Sequence, residues 1–115
     1  MESKRDIIIT IPKTTKWEDY EKELESVKTG EVCMGFKVSQ LPKTKPERCY
    51  VCYKGEIMGW MNVMGMLNDE FACEVTGKKW KGNFIYRSGE FHYLPNPKPK
   101  MKGFQGFRYY DRGQE

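Results

Sequence analysis

An α+β fold, built as a small curved barrel of mixed or antiparallel strands with one main helix, is predicted for this 115-residue chain from three observations. A single helical stripe stands near the start; about six or seven short strand-like runs follow or precede it; and a proline-rich link comes before the last of them, as a crossing connection would. The length fits one domain spanning residues 1–115, and no internal repeat or linker-bounded second unit is readable.

The elements follow in order. Asp6 to Ile11 is β-branched and is stopped by Pro12, which predicts a strand. Thr15 and Glu18 have capping-box spacing, Trp17, Tyr20, Leu24 and Val27 form one apolar stripe, and Gly30 supplies a stop, which together predict a helix. Glu31 to Val38 reads as a strand and Ser39 to Pro46 as a polar loop with two prolines. Arg48 to Tyr53 and Glu56 to Met66 read as strands joined through Lys54-Gly55, since glycine accepts the positive φ of a two-residue hairpin turn. Leu67-Asn68-Asp69 is expected to turn the chain into a strand at Glu70 to Val75, and Thr76-Gly77-Lys78-Lys79 into another near Lys81 to Tyr86. Arg87-Ser88-Gly89 then leads to Glu90 to Leu94, and the link Pro95 to Lys100 leads to a closing strand around Phe104 to Tyr110. Gly59, Gly65, Gly82, Gly103 and Gly106 suit the bulges and bends that closure needs.

The net charge of +4 hides an asymmetry. Residues 1–75 sum to −2 and residues 76–115 to +6, so the positive field sits in the C-terminal third. Such a field favours anionic partners, above all RNA or another nucleic acid, or an acidic protein. No run approaches the roughly 20 apolar residues of a membrane-spanning helix, so no membrane partner is expected. Cys33, Cys49, Cys52 and Cys73 lie in apolar stretches without an export signal, which points to reduced thiols and a cytoplasmic protein.

The strongest candidate site interleaves cations with rings. Lys78, Lys79 and Lys81 flank Trp80 at an expected turn, where the ring can stack on a base while the lysines hold phosphates; Arg87 and Arg108 offer planar forks for bidentate contact. The opposing reading makes Trp80, Phe84, Phe104 and Phe107 core residues with solvated cations at the rim. Cys49-Tyr50-Val51-Cys52 has zinc-knuckle spacing, but residues three apart in a strand face opposite ways, so no metal site and no cofactor is expected. Met58, Met61, Met64 and Met66, with Trp60 and Val63, read as core filling before pocket lining. His92 is the sole histidine, available to acid–base chemistry but more in keeping with a structural or surface role.

The order of strand, helix, strand, polar loop, a hairpin running from Cys49 to Trp60 and a final aromatic strand resembles the PUA-like superfamily, which includes PUA, ASCH, EVE and YTH domains. That resemblance implies a pseudobarrel with a cleft beside the helix and recognition of RNA or modified bases. ASCH domains carry Gly-x-Lys-x-x-Glu-x-Arg; here Gly35-Phe36-Lys37 matches its first half, while Gln40 and Pro42 occupy the Glu and Arg positions. The alternative it implies is a small hydrolase of RNA or modified nucleosides using Lys37, with Glu47 and His92 as further catalytic candidates. The missing acid turns the reading toward a binding module and away from an enzyme.

Overall fold

The computed structural model describes residues 6–30, 33–43, 45–72, 79–104 and 106–110, with the backbone alone at 69–72 and 79–81. Strand β1 (Asp6–Ile11) leads to helix α1 (Trp17–Ser26), then β2 (Met34–Val38), β3 (Arg48–Tyr53), β4 (Glu56–Ala72), β5 (Lys79–Tyr93) and β6 (Phe107–Tyr110). The six strands form one curved mixed sheet in the order β2-β5-β4-β3-β1-β6, a half-barrel whose edges are β2 and β6. β1 and β3 run parallel and every other neighbouring pair is antiparallel.

Alternation along the strands sorts side chains into two cores. Ile7, Ile9 and Ile11 of β1 and Cys49, Val51 and Tyr53 of β3 face the inner side, where Tyr20 and Leu24 of α1, with Val27 just beyond it, cover them. Ile8, Tyr50 and Cys52 face the outer side, where Ile57, Leu94 and Tyr110 join them under Met101 and Phe104. Cys49 and Cys52 thus belong to different cores and cannot share one ion, as the strand reading requires. Cys33 is exposed, and Cys73 lies outside the described residues.

Trp17 ties α1 to the sheet, with its ring 5.3 Å from Tyr20, 5.2 Å from Tyr53 and 6.1 Å from Phe91. The expected capping box does not form. Lys16 is the N-cap and makes no side-chain cap bond; the Thr15 N–H instead donates to the Pro12 carbonyl at 2.9 Å in a preceding turn, while the Thr15 carbonyl accepts the Tyr53 hydroxyl at 2.6 Å.

The hairpin at Lys54-Gly55 forms as expected, with φ of 49° and 82° in the left-handed region that its turn demands. Two other expected turns are absent. Leu67-Asn68-Asp69 continues β4, since Asn68 pairs with Asn83 of β5 and donates its Nδ2 to the Asn83 side-chain Oδ1 at 3.0 Å. Arg87-Ser88-Gly89 stays within β5, where Gly89 takes φ 91° beside a register shift and its N–H donates to Val27 at 2.9 Å. The chain bulges there without reversing. The expected turn at Thr76 to Lys78 lies outside the described residues, and Lys79 already belongs to β5.

The proline-rich link crosses the sheet. Ile57 donates to the Pro99 carbonyl at 2.8 Å and Met101 to Gly55 at 3.0 Å, which lays residues 94–104 against the start of β4 and delivers β6 to β1. The closing strand therefore pairs with an earlier one, and the barrel remains half closed.

Candidate functional site

The residues singled out in the sequence are dispersed. Lys78 lies outside the described residues; Lys79, Trp80 and Lys81 occupy β5 opposite Ala72, Phe71 and Glu70, and their side chains lie outside the description. Arg108 is exposed on β6, with its guanidinium carbon 4.5 Å from the centroid of Phe104. Arg87 is not a surface cation: at 2% exposure it is sealed in the inner core, because the expected turn is strand and its alternation points the side chain under α1. A phosphate on the surface has no access to it in this fold.

Lys37, Glu47 and His92 do not come together. Lys37 pairs with Phe84 on β5, eight residues from His92, and at ~3.3 Å per residue they stand roughly 26 Å apart along the sheet. The Lys37 side chain runs over Gly82, where a Cβ would meet its Cε at 2.8 Å. Glu47 is exposed beside β4, its carbonyl accepting the Val63 N–H at 3.1 Å.

A different set does converge, on the outer face. Register places Tyr50 of β3, Trp60 of β4 and His92 of β5 directly across from one another. The His92 ring lies 4.1 Å from that of Trp60 at 21°, a stacked pair, and the Arg48 guanidinium carbon sits 3.9 Å from the Trp60 centroid. His92 comes from the strand on one side of Trp60 and Arg48 from the strand on the other, so the indole is flanked by both. Arg48 is held in place: its N–H donates to Asp6 Oδ1 at 3.1 Å and its Nη1 to the Tyr50 hydroxyl at 3.2 Å. Gly59 makes the close approach of β4 and β5 feasible, because a Cβ there would collide with the His92 carbonyl oxygen and the Phe91 ring. Trp60 and Arg48 are half-buried and His92 is exposed, so the outermost ring of the stack is open to solvent.

Sequence reasoning passed over Arg48 and assigned Trp60 to a core methionine run. The readable signal was the alternation Arg48, Tyr50, Cys52, which gives one face of β3. On that same run Met61 is core, Met58 packs against the core, and Met64 is exposed.

Grooves among the described residues flank the sheet. One of about 330 Å³ opens at the seam between the β2–β3 loop and β6; Ser39, Gln40, Lys43, Phe107 and Tyr109 line it, and the Lys43 N–H donates to the Tyr109 hydroxyl at 3.2 Å. Another, about 300 Å³ between α1 and β5, is rimmed by Glu21, Glu25 and Glu90, with Tyr93 donating to Glu21 at 2.7 Å. Its carboxylates disfavour phosphate.

On the inner face the Arg87 Nη1 donates to the Tyr20 hydroxyl at 2.9 Å and approaches the Met61 sulfur at 3.9 Å. Burial pushes the Cys49 thiol up to about 11 and raises Tyr20 as well, against the opposing pull of Arg87. Both groups are therefore neutral at physiological pH.

No family model, no curated protein and no solved structure matches this chain.

Proposed function

We propose that the chain is a cytoplasmic nucleic-acid-binding module of PUA-like type that takes single-stranded RNA on its outer face. The observation that carries this reading is the Arg48–Trp60–His92 stack: a cation and two flat rings anchored on adjacent strands, with the exposed ring free to receive a base. The second cation–ring pair, Arg108 over Phe104, supports it from the far edge of the sheet. His92 and Arg108 are four strand spacings apart, which is ~19 Å at ~4.8 Å each and about five or six nucleotides at a stacked rise of ~3.4 Å. Between them passes the 94–104 segment with Lys98, Lys100 and Lys102. Lys79, Trp80 and Lys81 belong to the same strand, β5, as His92.

The test is titration of a fluorescent oligouridine at several salt concentrations. Affinity should fall with a logarithmic slope of about −0.7 for each phosphate contacted. Trp60→Ala and His92→Ala should each weaken binding with the fold retained. Binding indifferent to salt and to both substitutions would sink the reading, and capture of an acidic protein that survives nuclease would replace it.

A further inference from the structure

The groove between α1 and β5 is at odds with the charge of the chain around it. Glu21 and Glu25 on one stripe of the helix share its rim with Glu90 of β5, and among the described residues the cation lining it is Lys28, 3.8 Å from Glu25. Three carboxylates against one ammonium leave −2 here, in a chain whose net charge is +4. Like charges four residues apart on a helix destabilise it, so Glu21 and Glu25 work against α1 unless a cation serves both. The wall beside them is apolar. Phe91 and Tyr93 line it, with ring centroids 4.8 Å apart at 77°, and Tyr93 is 48% exposed. The Tyr93 hydroxyl donates to Glu21 at 2.7 Å and so holds a carboxylate next to the ring. A π face beside carboxylates attracts an ammonium or guanidinium group. Among the described residues no three ligating groups converge as a metal ion requires, so the cation that fits this groove is an organic one.

A second feature, independent of charge, gives the groove a direction. β2 pairs with β5 only from Asn83 to Arg87, so among the described residues no strand lies beside the end of β5 on the side away from β4. At Gly89 that edge is taken by the Val27 carbonyl, 2.9 Å from the Gly89 nitrogen. Further along it is open. The Leu94 N–H donates to the Met58 carbonyl at 3.0 Å, which makes theirs a hydrogen-bonded pair. Such pairs alternate along an antiparallel ladder, so at the next pair, Tyr93 with Gly59, the backbone N–H and C=O of Tyr93 turn away from β4 towards the open edge. We propose that the groove is a docking site for an extended basic segment of another protein, which adds beside Tyr93 as a short strand and sets a lysine or arginine side chain against Phe91 and Tyr93, among Glu21, Glu25 and Glu90. The Arg48–Trp60–His92 stack lies on the outer face, so this site and the RNA reading stand or fall separately.

Fluorescence anisotropy of labelled octalysine with the full chain tests the proposal. Binding should saturate at low salt and weaken as salt rises. Glu21→Gln and Glu90→Gln, both at exposed positions, should each lower the affinity by about two- to fivefold. Asp19→Asn and Glu23→Gln remove the same charge from the opposite stripe of α1 and should each change it less. Octalysine methylated at every backbone nitrogen keeps its charges but cannot donate to a strand edge, and should bind about two- to tenfold more weakly. Absence of saturable binding overturns the proposal, as do equal losses from the two stripes of the helix, and equal affinity for the methylated peptide overturns the strand addition. Nitrogen-15 NMR of the wild-type chain needs no variant to fold: the Tyr93 amide resonance should shift with the same saturating concentration of octalysine, and a resonance that stays still while the peptide binds overturns the site.

Discussion

The two faces of the sheet each hold an arginine beside aromatic rings, and they use it in opposite ways. On the inner face Arg87 is roofed by α1, fully desolvated and bonded to neutral partners; on the outer face Arg48 lies against Trp60 with solvent nearby, and Arg108 covers Phe104 in the open. The chemistry of the side chain is the same. What differs is whether water is there to share the charge, and that is decided by the element lying above it. A basic and aromatic composition is therefore two signals superposed, one of core and one of surface.

Four experiments press on this contrast, in descending order of expected effect. The outer face is a core beneath its exposed rim, so Tyr50→Ala, which removes a fully buried ring 4.5 Å from that of Tyr110, should cost about 4 kcal/mol in a denaturant melt. A cost near zero would mean that residues 94–104 do not seal that face. The inner face should show its own signature in alkali. The folded state holds the Cys49 thiol protonated up to about 11 against 9.0 for an ordinary thiol, so its contribution is whole below pH 9 and is lost as pH rises towards 11, by up to about 3 kcal/mol. Cys49→Ala should remove that part of the pH dependence, leaving the portion due to Tyr20 at higher pH. Arg87→Met in a chloride buffer should leave stability unchanged or raise it by about 1–2 kcal/mol, as replacement of buried charge by an apolar side chain of similar length does. A loss of 3 kcal/mol or more would reveal a charge partner and dissolve the contrast. Finally, Trp60→Ala should weaken oligouridine binding by about 1–3 kcal/mol while Arg87→Met leaves it untouched; equal effects would place Trp60 and Arg87 in one site.

How much of this was legible in the sequence depends on the element. β1, α1 and the β3–β4 hairpin were readable because each is specified locally, by β-branched residues before Pro12, by a helical stripe and by a glycine in a turn. The outer stack was not, for a geometric reason. A regular hairpin closing at Lys54-Gly55 would set Trp60 opposite Cys49, on the inner face. The shift between Val51 and Cys52 inserts one residue and sets it opposite Tyr50, on the outer face. A single-residue bulge leaves no compositional mark, and it inverts the side on which an indole emerges. Arg87 failed for a related reason: Arg-Ser-Gly has turn composition, but β2 and β4 offer partners on both sides of it, and tertiary pairing overrides the local preference. Asn68 yields in the same way to Asn83.

The placement of β1 has a temporal consequence. Its three fully enclosed isoleucines are flanked by β3, some forty residues onward, and by β6, about a hundred residues onward. Neither edge of this segment can be satisfied by anything nearby in the chain. On a ribosome one edge of this strand must wait for β3, and the other stays unpaired until β6 has emerged; the β3–β4–β5 meander, closed by short-range contacts, is free to assemble first. Nascent chains stalled before Phe107 should hold that meander against proteolysis while leaving the first strand open to cleavage or to capture by a chaperone.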